Sequence, residues 1–420
     1  MSLSPEELVR RAELAERSGL HSDAKAAWDA LISAAPTHPK ALFAQGRSLV
    51  SRGQARAAVP LLAQAEDGDP GFAEAPFFLA LAHKMLGDLQ AAVNALDRAL
   101  AIDPYFFMAL LSKAALLEQL GFARVAARTY RNALKIAPSD AALPPSQRAA
   151  VDHARKVCSD HAQELAAFLR VRTQELRGQH ANSRLERFDE CLDILAGVKK
   201  PPVQDPLLLL FPHLPLITFF DREAFPWLKT LEAATPEIQA ELDVVLREDR
   251  AAFAPYIQLP PEAPVNQWEQ LNHSPLWTTY NLWRDGVRDD ANCARCPKTT
   301  ALLEGLPLAR QEGFGPTVVF SVLQPHTRIP PHTGSTNVRL LTHLPLILPP
   351  GCGFRVGNQV REWRIGEAWV FDDSVDHEAW NDSDETRVIL IFDVWNPYLT
   401  EAERELVSEM MRALNEFNDG

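Results

Sequence analysis

Two short segments of the chain gather side chains able to bind metals and anions. PPHTGSTN (330–337) carries His332. SVDHEAW (374–380) carries His377, with Asp372 and Asp373 before it and Asp376 and Glu378 beside it. Two imidazoles brought together by neighbouring strands could hold Fe(II) on one face and leave other positions open for a keto-acid and oxygen. In the usual facial triad an acid stands two residues after the first histidine, but here that position is Gly334, so the triad is incomplete. The four nearby acids serve as a carboxylate ligand or, preferably, as turn caps and supports for the imidazoles. Arg387 follows His377 by ten residues and begins an apolar segment. An arginine in the wall of a barrel is costly to bury without an anion, and its fork suits a carboxylate. His326 and His273 are expected on surface loops.

Strands are the elements that must position these groups. TVVFSVL (317–323), VRLLTHLPLIL (338–348), EAWVFDD (367–373) and TRVILIFDV (386–394) are rich in β-branched and aromatic residues and are split by Gly, Pro and Asn. Such spacing predicts an antiparallel sandwich, with a double-stranded β-helix (jelly roll, cupin-like) as the specific expectation, and both histidine segments on its connections. Residues 221–256 are helical in pattern and flank the strands. Trp277 and Trp283 in WTTYNLW are read as core aromatics or as walls of a substrate entrance.

The N-terminal half has another texture. Gly19, Gly53, Gly87 and Gly121 stand 34 residues apart, as do Pro36, Pro70, Pro104 and Pro138. Small residues (Ala12, Gly46, Ala80, Ala114) and bulky ones (Trp28, Leu62, Leu96, Tyr130) keep the same step. Glycine lets the chain turn between paired helices, small residues let the pair approach, and proline ends the second helix. A period of 34 resembles the tetratricopeptide family, with four repeats over about residues 5–140. Leu31 departs from the small-residue column of Ala65, Ala99 and Ala133, as terminal repeats often do. Val151, Ala154, Cys158, Ala162, Leu165, Leu169 and Leu176 predict an amphipathic helix that caps the array. Lys199 to Pro202 then break the pattern. The expected domains are residues 1–140, a solenoid; 141–202, a helical cap and linker; and 203–420, the strand-rich domain.

Composition sets limits. Acidic residues (55) exceed Lys plus Arg (42), a net charge of −13, which offers no footprint for nucleic acid or an anionic membrane. The longest apolar run, 207–220, is broken by Pro212 and Pro215 and is too short to span a bilayer. The N-terminal segment lacks a signal-peptide pattern, so a cytoplasmic location is expected. Five cysteines fit reduced thiols, with Cys293 and Cys296 an incidental pair.

The string from Pro331 to Pro397, with H-T-G-x-T-N (332–337), T-H-L-P-L (342–346) and F-D-D-S-x-x-H-E (371–378), resembles the catalytic core of the aspartyl/asparaginyl β-hydroxylase family. The likeness reaches back through FSVLQP, KTTALLEGLP and WTTYNLWRDG to FFDREAFPWL near residue 220. It implies Fe(II) held by His332 and His377, with water in the vacant position. It also implies 2-oxoglutarate held by Arg387 at its distal carboxylate, with Ser321 and His343 as the other contacts. Arg339 is assigned in catalysis to a substrate carboxylate. Animal members carry a second arginine where this chain has Leu341 and a lysine where it has Val319, which thins the positive lining.

The leading reading is therefore a dioxygenase that hydroxylates an unactivated C–H, the β-carbon of Asp or Asn in a peptide or protein or a related small molecule. A protein partner is expected on the repeat array. Halogenation is a second reading, because the missing carboxylate leaves room for chloride. A third is a non-catalytic interaction protein, against which intact His332, His377 and Arg387 argue. If a carboxylate at position 334 can reach iron, Gly334→Asp is expected to bind metal at least as tightly, with O2 chemistry impaired by occupation of an open position.

Overall fold

The 34-residue period becomes eight helices: α1 (Pro5–Arg17), α2 (His21–Ala34), α3 (Pro39–Ser51), α4 (Ala55–Gly68), α5 (Glu74–Met85), α6 (Leu89–Ile102), α7 (Phe107–Gln119) and α8 (Ala123–Lys135). This computed structural model describes residues 3–419 apart from Ala181. Each turn within a pair is made by a glycine with φ between +70° and +84°, at 19, 53, 87 and 121. No atom lies within 4 Å of a Cβ placed there, so the left-handed backbone and not crowding requires glycine. Gly46 is different, because its Cβ would lie 2.6 Å from Leu62 Cγ where α3 and α4 cross. From the second repeat onward the columns of small and bulky residues are buried and pack into one core that runs from Leu42 to Ala154. Leu31 joins Leu8, Ala12 and Trp28 in a separate N-terminal cluster, which is why the first repeat departs from the pattern.

The expected cap is α9 (Pro145–Gln179), longer at both ends than its apolar pattern. Val151 and Ala154 enter the repeat core, while Ala166 packs on Leu192 and Ala196 of α10 (Glu186–Ala196). Contacts divide the chain into two units, residues 1–198 and 199–420. Among the described residues no helix is long and apolar enough to cross a membrane.

In the second unit α11 (Leu228–Ala233) and α12 (Thr235–Glu248) precede β1 (Ala254–Pro255), β2 (Trp277–Arg284) and β3 (Val287–Arg288). Then come α13 (Asp290–Arg295), α14 (Pro297–Glu304), β4 (Val318–Leu323), β5 (Thr327–His332), β6 (Arg339–Ile347), β7 (Cys352–Val356), β8 (Gln359–Arg361), β9 (Trp369–Phe371), β10 (His377–Asn381), β11 (Arg387–Trp395) and α15 (Glu401–Asp419). The larger sheet has the order β1-β2-β4-β11-β6-β9, with β3 on β2, and the smaller has β5-β10-β7-β8. All ladders are antiparallel. Two such sheets sharing a core are compatible with the expected jelly roll.

Alternation along the strands explains how they position the site, since successive side chains face opposite sides of a sheet. Val388, Leu390, Phe392 and Val394 of β11 pack with α11, α12 and α14. Ile389 and Ile391 face the other way, towards Phe354, Phe371 and Ala379. Val318, Phe320 and Val322 of β4 likewise face the helices, leaving Ser321 on the inner side with Arg387. The two tryptophans, six residues apart, would share a side by alternation, but the register shift between Asn281 and Trp283 separates them: Trp283 is core against the helices, whereas Trp277 lies on the inner side. Cys293 and Cys296 are buried, unbridged core thiols.

Candidate metal and co-substrate site

His332 ends β5 and His377 begins β10, and the two are partners in the ladder between these strands. They therefore lie on strand ends rather than on the connections expected from sequence. β5 tolerates Pro330 and Pro331 because it is the edge of its sheet. The imidazole centroids are 4.1 Å apart. Nδ1 of His332 lies 2.8 Å from Pro330 O, and Nδ1 of His377 lies 3.0 Å from Val375 O. A carbonyl only accepts, so each Nδ1 carries the proton and donates, and each Nε2 keeps its lone pair for a metal. Burial lowers the pKa of both, and with His332 as its neighbour His377 is held at about 3, so both rings are neutral ligands.

The acids around His377 divide sharply. Asp372 accepts from Ser374 N at 3.0 Å and from Gln204 Nε2 at 2.6 Å, capping the turn. Asp376 and Glu378 pair with Arg355 at 2.8 and 2.5 Å. Asp373 alone of the four lines the inner cavity. Its carboxylate fills the space beside Gly334, where a Cβ would lie 1.8 Å from Oδ2. Burial, then the fields of Asp372 and Asp393, push the Asp373 carboxyl well above its usual range. Among the described residues no group of three or more His, Cys, Asp or Glu is arranged to hold a metal.

Arg387 opens β11 on the inner face, is 1% exposed and has no carboxylate partner among the described residues. Its Nε makes no hydrogen bond, Trp363 lies against it at 5.2 Å, and burial lowers its pKa to about 10. Ser321 is fully buried and accepts from Trp277 Nε1 at 3.0 Å. His343 is buried with Nδ1 unpartnered, and burial followed by Arg387 holds it well below its ordinary value. One cavity of about 300 Å³ is lined by Ser321, His332, Arg339, His343, His377 and Arg387, so all six residues singled out in the sequence come together.

Arg339 is not free, however. Its Nη1 donates to Asp393 Oδ2 at 3.1 Å and to the Phe314 carbonyl. Sequence reasoning missed Asp393, although it shares the inward phase of Arg387, Ile389 and Ile391. It also missed Asp285, Tyr256 and Trp268 on the cavity wall, because no local pattern ties those loops to the strands.

Residues 232–397 match the sequence profile of the aspartyl/asparaginyl beta-hydroxylase family, and residues 49–116 match a tetratricopeptide repeat. The match to the hydroxylase family lies wholly within the second unit. The human aspartyl/asparaginyl beta-hydroxylase is 40% identical over 137 residues, 32% of this chain and 18% of that protein. The ornithine lipid ester-linked acyl 2-hydroxylase of Rhizobium tropici is 35% identical over 182 residues, 42% of this chain and 60% of that enzyme. Human aspartate beta-hydroxylase domain-containing protein 2 is 32% identical over 212 residues, 49% of this chain and 54% of that protein. The chain thus spans less than two thirds of each of these relatives. The two matched regions fall in separate structural units.

Proposed function

We propose that the second unit is an Fe(II)- and 2-oxoglutarate-dependent dioxygenase that hydroxylates an unactivated C–H of a peptide, a protein or a related small molecule. The observation that carries this reading is Arg387, fully buried and without a counter-ion, in the same cavity as two histidines whose Nε2 atoms are free. A buried guanidinium is stabilised by a carboxylate that arrives with a ligand, and neutral paired imidazoles suit Fe(II). The orphaned Arg387 Nε and His343 Nδ1 fit a keto-acid dianion that brings its own acceptors.

In this reading His332 and His377 hold the metal, and their Nδ1 bonds fix the rings so that little reorganisation is needed on binding. Arg387 receives the distal carboxylate of 2-oxoglutarate. Ser321, oriented by Trp277, and His343 complete the co-substrate contacts. When bound, Fe(II) and 2-oxoglutarate supply the O2 activation that no side chain can perform. Asp373 fills the space beside Gly334. Ile329, Phe354, Ala379 and Ile391 line the same cavity and exclude bulk water. Asp373 also takes the room beside Gly334 that chloride would need, which disfavours halogenation.

The relatives' names point to different acceptors, an aspartyl or asparaginyl residue in one and a lipid acyl chain in another. The target of this chain is therefore a matter for its own cavity. The repeats present a surface for a protein partner. Succinate formation from 2-oxoglutarate, screened with Fe(II) over peptide and small-molecule pools, tests the reading; a protein that binds neither Fe(II) nor 2-oxoglutarate overturns it.

A further inference from the structure

Beyond the co-substrate residues, the cavity has a second polar wall built around Asp393. This side chain is 6% exposed and lies on the inward phase of β11. Its Oδ2 accepts from Thr317 N at 2.7 Å and from Arg339 at 3.1 Å. Its Oδ1 takes no hydrogen bond among the described residues, although the residue lines the cavity. Arg339 is thereby neutralised by a partner from its own sheet. The other inward positions nearby, Val319 and Leu341, offer no cation.

Acidic and aromatic groups complete the wall. Asp285, in the turn between β2 and β3, lies 3.8 Å from Arg284 Nε, and it lines the same cavity as Asp373, whose carboxyl burial holds well above its usual range. Tyr256 stacks on Trp277 with centroids 4.2 Å apart, and Trp268 lies 6.2 Å from Trp277. A substrate carboxylate here would find Arg339 already engaged by Asp393 and would face the unbonded Asp393 Oδ1. A cation would meet carboxylates and the π faces of Tyr256 and Trp268, with its aliphatic stem against Val319, Leu341 and Phe314.

We propose that this wall is a specificity pocket for a cationic substrate group, an ammonium or guanidinium on an aliphatic stem, and that Asp393 determines it by holding Arg339 and offering Oδ1 to the cation. The inference rests on the cavity being the hydroxylase site proposed above. It separates the acceptor of this chain from an acidic side chain.

The test uses the full chain and pentapeptides Gly-Gly-X-Gly-Gly with X as Lys, Arg, Asn or Asp, with binding followed by calorimetry and tryptophan fluorescence. The Lys and Arg peptides are expected to bind about tenfold more tightly than the Asp peptide. Asp393→Asn releases Arg339 and should reverse that order. Asp285→Asn, at an exposed turn, should weaken the Lys peptide about threefold without disturbing the fold. If Asp393→Asn does not fold, Arg339→Gln replaces it, and stronger Lys binding is expected. An Asp peptide bound as well as the Lys peptide, no measurable Lys or Arg binding, or folded variants that leave the order and affinities unchanged would overturn the proposal. A parallel Fe(II) and 2-oxoglutarate titration separates the two claims: its failure with the peptide order intact removes the dioxygenase reading, and the converse removes only the pocket.

Discussion

At position 334 a side chain has no room, because Asp373 Oδ2 would lie 1.8 Å from its Cβ. This corrects the expectation that Gly334→Asp binds metal at least as tightly. The new carboxylate would collide with the one already there, and the like charges would repel. We expect Gly334→Asp to lose metal affinity and thermal stability, and Gly334→Asp with Asp373→Ala to recover both, as followed by metal titration and melting. A second prediction concerns His377, whose imidazole is held at about 3 in the fold against an ordinary 6.5. Between those values the unfolded chain binds the extra proton, so this residue's contribution makes stability fall as pH drops below about 6.5 and leaves it unchanged above. The urea midpoint of the metal-free protein should fall less between about pH 7 and pH 5 in His377→Gln. His332, His377 and Arg387 were legible in the sequence because motif and residue chemistry agree on them. The Arg339–Asp393 pair was not, since it depends on the register of β6 against β11, where Arg339 faces Trp395 and Asp393 faces Leu341.

At the scale of elements, strand texture identified β4, β6, β9 and β11, whose apolar content is high because both faces are covered. It missed β2 of the larger sheet and the strands of the smaller one, where β5 carries Pro330 and Pro331, β7 carries Gly353, and β10 (HEAWN) has only two apolar residues among five. Their sequences have no continuous apolar run, so only pairing defines them. Gly353 in β7 shows how that sheet is held: Trp380 of β10 pairs with it, and a Cβ at 353 would lie 2.1 Å from the indole. Gly353→Ala must displace Trp380 on the strand that begins with His377. A loss of about 1–3 kcal/mol in urea unfolding is expected, with weaker metal binding. Unchanged stability would mean that the indole has another place to go.

The whole molecule is two units joined near residue 199. The 34-residue period and the strand texture made both legible. The join was harder to place, because the segment after it has no periodicity yet is fastened to the second unit. Lys200 O accepts from Asn358, Gln204 donates to Asp372, and Asp205 N donates to Ser374 O. Limited trypsin digestion is therefore expected to cut after Lys199 and leave a C-terminal fragment that begins at Lys200. First cleavage beyond residue 205 would contradict this arrangement. The central claim, that the second unit binds Fe(II) through two histidines and 2-oxoglutarate through Arg387, is tested most directly by titrating both ligands, without oxygen, into the unmodified protein, His377→Ala and Arg387→Ala. The account predicts that His377→Ala loses Fe(II), whereas Arg387→Ala keeps Fe(II) and loses about 2–5 kcal/mol of 2-oxoglutarate affinity. Fe(II) bound by His377→Ala as by the unmodified protein, or undiminished 2-oxoglutarate affinity in Arg387→Ala, would contradict it.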